Sequence, residues 1–148
     1  MQPDAIGPGW RRFSAVSAVL LAATSTLTAC SDDTNTATWV VGSDERVTST
    51  TTGFTAIVNR IGCSSGVQGK PEPPKIEYAD SEVRVTFRIS PRIDSGTCEG
   101  TPGVTYEVDL AEPLGNRSLV DGECHRGSTA WNTEHCLDEG VRHTAETP

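Results

Sequence analysis

The sequence has few aromatic residues and few positive charges for its length. Aromatic residues occupy 5% of the 148 positions, and 12 Lys and Arg residues stand against 20 Asp and Glu residues, which gives a formal net charge of −8. Phosphate backbones and anionic lipid headgroups repel such a chain. The composition therefore argues against nucleic-acid binding and against membrane attachment through a basic patch.

Several patterns are missing as well. No stretch repeats apolar residues at helical spacing over three turns, so a helical bundle is excluded. The spacing of an EF-hand calcium loop is absent. The Ser-x-x-Lys motif of β-lactamases is absent too. These absences leave a fold built mainly from strands, and they assign no catalytic residue, metal ligand or cofactor.

The first thirty residues have the pattern of an export signal. Arg11 and Arg12 precede an uncharged run over residues 13–26, which leads into Leu27-Thr-Ala-Cys30. A secretory signal consists of a basic N-terminal region, a short apolar region and small residues at the cleavage site. The run is shorter and more polar than the about 20 apolar residues of a spanning helix. A conventionally cleaved signal and a retained membrane anchor are the alternatives.

The end of this signal resembles a bacterial lipobox, which consists of Leu, a small residue, Ala and Cys. The resemblance implies that residues 1–29 are removed and that Cys30 receives a diacylglycerol on its sulfur. The mature chain would then be held at the cell membrane, on its extracytoplasmic side. Acyl chains would supply the attachment, at roughly 0.8 kcal/mol for each buried methylene.

Residues 30–53 are dense in Thr, Ser and Asp. Such a composition buries too little apolar surface to offset the cost of ordering, so we expect a flexible tether that begins at Cys30. Trp39-Val-Val41 is the exception and is compatible with a short strand. Residues 54–148 then form a single β domain with an irregular C-terminal tail.

Strand patterns recur through residues 54–122. Val83, Val85, Phe87 and Ile89 alternate with polar residues, which is the clearest period-two run in the chain. Residues 75–78 precede it and should complete a hairpin. Residues 54–62, 104–110 and 118–122 are further strands. The predicted fold is all-β, a small antiparallel sandwich or meander of five to seven strands.

Four cysteines remain once Cys30 is assigned to lipid: Cys63, Cys98, Cys124 and Cys136. An even set in an oxidising compartment indicates two disulfides. The predicted strands would bring three of these cysteines to one end of the domain, so all three pairings are open. We favour Cys63 with Cys98 and Cys124 with Cys136, because the second bond closes a short loop that otherwise lacks a core.

The domain also resembles small exported lipoproteins of high-GC Gram-positive bacteria, over about residues 54–142. The resemblance implies a β-rich extracytoplasmic domain and carries over no catalytic residue. It depends on four runs and on Thr97-Cys98 and Cys124. The runs are Ile61-Gly-Cys-Ser-Ser-Gly-Val-Gln-Gly69, Val83-Arg-Val-Thr-Phe87, Tyr106-Glu-Val-Asp-Leu-Ala-Glu-Pro-Leu-Gly115 and Leu119-Val-Asp-Gly122.

Three constellations could carry chemistry. Cys124-His125 and His135-Cys136, with His143 nearby, suggest zinc, but adjacent ligands point apart on an extended chain and export favours oxidised cysteines. Ser64 and Ser65 with the three histidines could form a triad only through the fold. An acidic group could bind calcium or cleave glycosides, although a solvated face is the simpler interpretation. Its members are Glu107, Asp109, Glu112, Asp121 and Glu123.

Together these features predict a non-enzymatic, lipid-anchored binding module for a protein or glycan partner at the cell envelope. Residues 63–74 and 91–103 form loops, which usually carry recognition in β domains. One alternative is a small envelope hydrolase or metal-dependent enzyme that uses His125, His135 and the acidic strand residues. Another is a secreted protease inhibitor that presents residues 95–103.

Replacing Cys30 with Ala should abolish incorporation of a labelled fatty acid when the full chain is expressed in a bacterial host. The matched control is Ser31→Ala, which leaves the thiol in place and should label like the unchanged chain. Labelling of the Cys30→Ala protein at the control level would refute lipid attachment at this position.

Overall fold

The computed structural model describes residues 35–93 and 96–144, and these form an all-β domain with one short 3₁₀ helix, as the sequence predicts. The predicted signal and Cys30 lie outside the described residues. The strands are β1 Thr36–Val41, β2 Gly53–Arg60, β3 Lys70–Pro71, β4 Lys75–Tyr78, β5 Glu82–Ser90, β6 Val104–Asp109, β7 Ser118–Asp121 and β8 Val141–His143, and the 3₁₀ helix is Glu134–Gly140.

β5 is the central strand of the sheet. The strands follow the order β6-β2-β1-β5-β7-β8, and β3 and β4 also pair with β5. The predicted alternation is confirmed, because Val83, Val85, Phe87 and Ile89 are all fully buried. β4 and β5 form the predicted hairpin, with Glu77 opposite Arg84. β1 pairs with the C-terminal half of β5, whereas β7 pairs with its N-terminal half.

Two details differ from the expected antiparallel sheet of five to seven strands. The sheet has eight strands, since β3 and β8 are too short to show a period of two. β7 runs parallel to β5. A parallel pair requires a crossover, and the chain makes one between β6, at one edge of the sheet, and β7, which pairs with β5 along the same edge of that strand as β1 does.

The predicted tether is wrong for residues 36–41, and the domain begins before residue 54. β1 lies between β2 and β5, and its residues Thr36, Ala37, Thr38 and Trp39 are all buried. The Thr-rich composition suggested disorder, but Thr is β-branched and suits a strand covered on both faces. The link to β2 is also fixed, because residues 49, 51 and 52 accept backbone hydrogen bonds from residues 110–115.

The core packs around the Trp39 ring. Its centroid lies 5.3 Å from that of Phe54 and 6.3 Å from that of Phe87, and its Nε1 donates to the Val85 carbonyl oxygen at 2.9 Å. Trp39 therefore joins three strands in one apolar cluster. The cluster contains Ala37, Trp39, Phe54, Ala56, Val58, Val83, Val85, Phe87, Ile89, Val108, Leu110, Leu114 and Leu119.

The C-terminal segment is more ordered than the predicted irregular tail. β8 pairs antiparallel with β7, and Ala130 packs with Ile61 and the disulfide in a second buried cluster. Disulfides join Cys63 to Cys98 and Cys124 to Cys136, the pairing that the sequence favours. Within residues 35–93 and 96–144, no helix is long and apolar enough to cross a membrane.

Replacing Trp39 with Ala should lower the free energy of unfolding by about 3–5 kcal/mol, because it empties the centre of the core. Val40, the next residue of β1, is 42% exposed, and Val40→Ala should change stability by less than about 0.5 kcal/mol. Urea denaturation followed by circular dichroism measures both changes. Equal stability of the two variants would show that residues 36–41 are outside the core.

Candidate functional site

A polar groove of about 280 Å³ lies beside β7 and β8, and we call it the β7 groove. Its walls come from β5, from β7 and the turn after it, from the loop closed by the Cys124–Cys136 disulfide, and from the start of β8. The lining residues are Glu82, Arg84, Val120, Asp121, Gly122, Cys124, His125, Arg126, Trp131, Glu139 and Val141.

Asp121, at the end of β7, holds the base of this groove. Its carboxylate is fully buried and accepts the Trp39 backbone N–H at 3.0 Å, the Glu123 backbone N–H at 3.0 Å and Arg142 Nη2 at 2.8 Å. One side chain therefore connects β1, β7 and β8. Burial raises the pKa of Asp121 because desolvation disfavours the ionised form, while the Glu123 N–H and Arg142 act in the opposite direction.

Arg142 links the base of the groove to the disulfide loop. Its Nη2 also donates to the His135 carbonyl oxygen at 2.7 Å, and its guanidinium lies 5.9 Å from the centre of the Trp39 ring. Arg142 is nearly as buried as Asp121, with 9% of its side chain exposed. The position of the loop therefore depends on a buried ion pair that also contacts the core.

Two glycines allow the groove walls to approach each other closely. A Cβ atom at Gly122 would overlap the Thr86 hydroxyl on β5, and one at Gly140 would overlap Cys124 of the disulfide. Gly140 also has φ +78°, a left-handed conformation that glycine adopts without steric cost. A side chain at Gly122 would push the turn after β7 away from β5, and one at Gly140 would push the end of the 3₁₀ helix away from the disulfide.

The loop between Cys124 and Cys136 is a succession of tight turns. Ser128 N–H donates to the His125 carbonyl oxygen, Trp131 N–H to that of Ser128, and Cys136 N–H to that of Thr133. These hydrogen bonds and the disulfide fix the loop without a regular element. They place Trp131, half-buried, in the groove wall.

The rim of the groove at residues 138–139 contains strained backbone. Asp138 and Glu139 have φ of 52° and 54°, a left-handed conformation that is uncommon for residues other than glycine. Strain of this kind costs of order 1–3 kcal/mol for each residue and concentrates at functional sites. The exposed Glu139 side chain lines the groove from this rim.

Three side chains of the groove have unused binding capacity. Among the described residues, Arg126, Trp131 and Glu139 have no hydrogen-bond or ion-pair partner for their side chains. The His125 ring contacts the Arg126 carbonyl oxygen through Nδ1 at 3.1 Å, which leaves Nε2 available. Donors, an acceptor and an aromatic ring are thus open to a ligand.

A second polar cavity, of about 210 Å³, adjoins the first, and His125 lines both. The ion pair between Arg88 and Glu123, at 2.6 Å, forms part of its wall. Its remaining lining residues are Thr36, Gly127, Ser128 and Thr129. The two cavities therefore share one exposed histidine.

The two loops that the sequence nominates for recognition lie side by side. The Cys63–Cys98 disulfide joins them, Ser65 N–H donates to the Thr97 carbonyl oxygen at 2.9 Å, and Gln68 Nε2 donates to that of Pro102 at 2.9 Å. The Thr97 N–H also donates to the Ser65 hydroxyl, so three hydrogen bonds and a disulfide join the two loops. Residues 94 and 95, within the nominated inhibitor loop, lie outside the described residues.

Residues 62–66, Gly-Cys-Ser-Ser-Gly, also match the Gly-x-Ser-x-Gly pattern of the nucleophile elbow. That motif requires an exposed serine on a turn between a strand and a helix. Here the segment lies between β2 and β3, Ser64 is only 3% exposed, and its Oγ donates to the Val67 carbonyl oxygen. The segment is a disulfide-bonded turn and lacks the context of a nucleophile.

The fold does not arrange the candidate zinc ligands as a metal site, and it does not bring the acidic residues together. Cys124 and Cys136 are bonded to each other, and the described residues contain no cluster of three or more His, Cys, Asp or Glu side chains that could hold a metal. Glu107 lies on β6, four strands from Asp121 on β7, so the predicted acidic end does not form. Asp121 and Glu123 are buried, whereas Glu107 and Asp109 are exposed.

Of the sequence-based candidates, His125 and Asp121 lie in the β7 groove, and His125 and Glu123 line the second cavity. Arg126, Trp131 and Glu139 were missed, because an irregular loop gives no periodic signal. A tryptophan between two cysteines of a short predicted loop was the available clue. No protein-family model, no curated protein and no solved structure matches the chain.

Replacing Arg142 with Met should lower the free energy of unfolding at neutral pH by about 3–5 kcal/mol, because the Asp121 charge stays buried without its partner. Removing Arg142 also raises the pKa of Asp121 further. The folded state then binds a proton more readily than the unfolded chain, so the loss should shrink as the pH falls through that pKa.

Urea denaturation of the Arg142→Met protein at about pH 7 and about pH 5 measures this dependence. Arg46→Met is the control, since Arg46 is exposed and lies outside the groove. A loss that is the same at both pH values would contradict the role given to the buried pair.

Proposed function

We infer that this chain is a lipid-anchored binding module on the extracytoplasmic side of the cell membrane and that its ligand occupies the β7 groove. The observation that carries the proposal is the set of unused side chains, Arg126, Trp131 and Glu139, around a cavity with a rigid base. Pockets that bind ligands combine apolar or aromatic walls with a few placed polar groups. The lipobox before Cys30 and the two disulfides support the location.

The groove is a better candidate than the loops at residues 63–74 and 91–103. Three hydrogen bonds and a disulfide join those loops to each other, whereas the groove combines a cavity with a half-buried tryptophan and two partnerless charged side chains. The base of the groove is also fixed before any ligand binds, through Asp121 and Arg142. A site that is already ordered loses less conformational entropy on binding.

Binding fits the groove better than catalysis. General acid–base chemistry needs a base within hydrogen-bond reach of the group that it activates. Among the described residues that line the groove there is no serine, threonine or tyrosine, and Cys124 is in a disulfide, so no side-chain nucleophile stands beside His125. We therefore propose that an envelope component binds in the groove and dissociates without chemical change.

Replacing Trp131 with Ala should weaken retention of an envelope component by at least about tenfold, a loss typical of a central aromatic anchor. The immobilised full chain is incubated with separated protein and glycan fractions of a high-GC Gram-positive envelope, and the retained material is quantified. Arg126→Ala should also reduce retention.

Arg46→Ala is the matched control for Arg126→Ala, because Arg46 is an exposed arginine outside the groove. It should retain the component as well as the unchanged chain does. Equal retention by the Trp131→Ala, Arg126→Ala and Arg46→Ala proteins would remove the groove as the binding site.

A further inference from the structure

The charges around the β7 groove cancel. Glu82 forms an ion pair with Arg84, and the buried Asp121 forms one with Arg142. The remaining ionised side chains of the lining are Arg126 and Glu139. The charges of the lining therefore balance and give no local preference for an anion or for a cation.

The groups that face the groove suit hydroxyl-rich ligands. A guanidinium donates through a planar fork, a carboxylate accepts at two oxygens, and the imidazole and indole nitrogens each add one site. Arg126 and Glu139 can thus each bind a pair of neighbouring hydroxyl groups through charge-assisted hydrogen bonds. Trp131 adds an apolar ring face with a polar N–H tip, which matches the C–H face and hydroxyl edge of a sugar ring.

The size and continuity of the space limit the ligand further. The groove, at about 280 Å³, is near the lower end of the roughly 300–1,000 Å³ range of small-molecule sites, so it admits a small ring. The second cavity shares His125 with the groove and is lined by Ser128, whose hydroxyl donates to the Glu123 carbonyl oxygen, and by Thr129. A ligand that fills both cavities would have two polar rings joined across His125.

We propose that the β7 groove binds an uncharged saccharide of at least two sugar rings, with one ring stacked on Trp131 between Arg126 and Glu139 and the next ring beyond His125. This assignment rests on the proposed function and adds the ligand class. Lipid attachment would present such a site to glycans at the cell surface. A peptide is the competing occupant, and the experiment distinguishes the two.

The probes are neutral disaccharides with different linkages, namely cellobiose, maltose, trehalose and N,N′-diacetylchitobiose, together with their monosaccharides. Binding to the full chain is measured by saturation-transfer NMR and by quenching of tryptophan fluorescence. At least one disaccharide should bind more tightly than its monosaccharide, with saturation transferred mainly to ring C–H protons.

The variants locate the bound sugar. Trp131→Ala should weaken binding of that disaccharide by at least about tenfold, whereas Trp131→Phe keeps a ring to stack on and should stay within about threefold of the unchanged chain. Glu139→Gln keeps one acceptor and should weaken binding less than Glu139→Ala does. His125→Ala should weaken the disaccharide but not the monosaccharide. Arg46→Ala should have no effect.

Other results overturn the proposal. If no saccharide binds but an extended peptide pool does, and Trp131→Ala abolishes that binding, the saccharide assignment fails and the binding function stands. If neither a saccharide nor a peptide shows binding that depends on Trp131, both the assignment and the proposed function fail. Saccharide binding that is unaffected by Trp131→Ala also overturns the assignment.

Discussion

The structure depends on one buried carboxylate. Asp121 lies where β1 and β7 pair with successive parts of β5, and it satisfies the Trp39 and Glu123 backbone N–H groups that would otherwise be buried without partners. Leaving a buried N–H unpaired costs about 1–3 kcal/mol. Arg142 completes the arrangement from β8. The same side chain therefore fixes the junction in the sheet and the base of the groove.

The groove is rigid because this junction fixes its base. Arg142 holds the His135 carbonyl oxygen, the Cys124–Cys136 disulfide closes the loop, and Gly122 allows the turn after β7 to lie directly against β5. The left-handed Asp138 and Glu139 lie between the disulfide and β8, and the Val141 N–H donates to the Asp138 carbonyl oxygen. A small domain with a modest core thus maintains an ordered site on an irregular segment.

Sequence periodicity was informative where one face of a strand is buried. It identified β5, the β4–β5 hairpin and β6, and the short spacing between Cys124 and Cys136 favoured the disulfide that the structure contains. It placed β1 in the tether and allowed only Trp39–Val41 as a short strand, because a strand buried on both faces by Thr, Ala and Trp shows no alternation. It also missed the parallel pairing of β7, which depends on a crossover between distant parts of the chain.

The sequence revealed less about the groove than about the strands. Trp131, Arg126 and Glu139 are brought together by turns, a disulfide and a buried ion pair, none of which leaves a repeating pattern. For the acidic residues, the sequence suggested a group that the fold does not bring together. Asp121 and Glu107 look equivalent in a list of carboxylates, yet one is a buried structural acceptor and the other lies exposed on the edge strand.

Hydrogen exchange at the Trp39 backbone amide tests the role of Asp121 most directly. This N–H donates to a fully buried carboxylate at the junction of β1, β5 and β7. We expect it to be among the slowest amides in the protein and to exchange only through global unfolding. Exchange within minutes under native conditions, at the rate of exposed loop amides, would contradict the account.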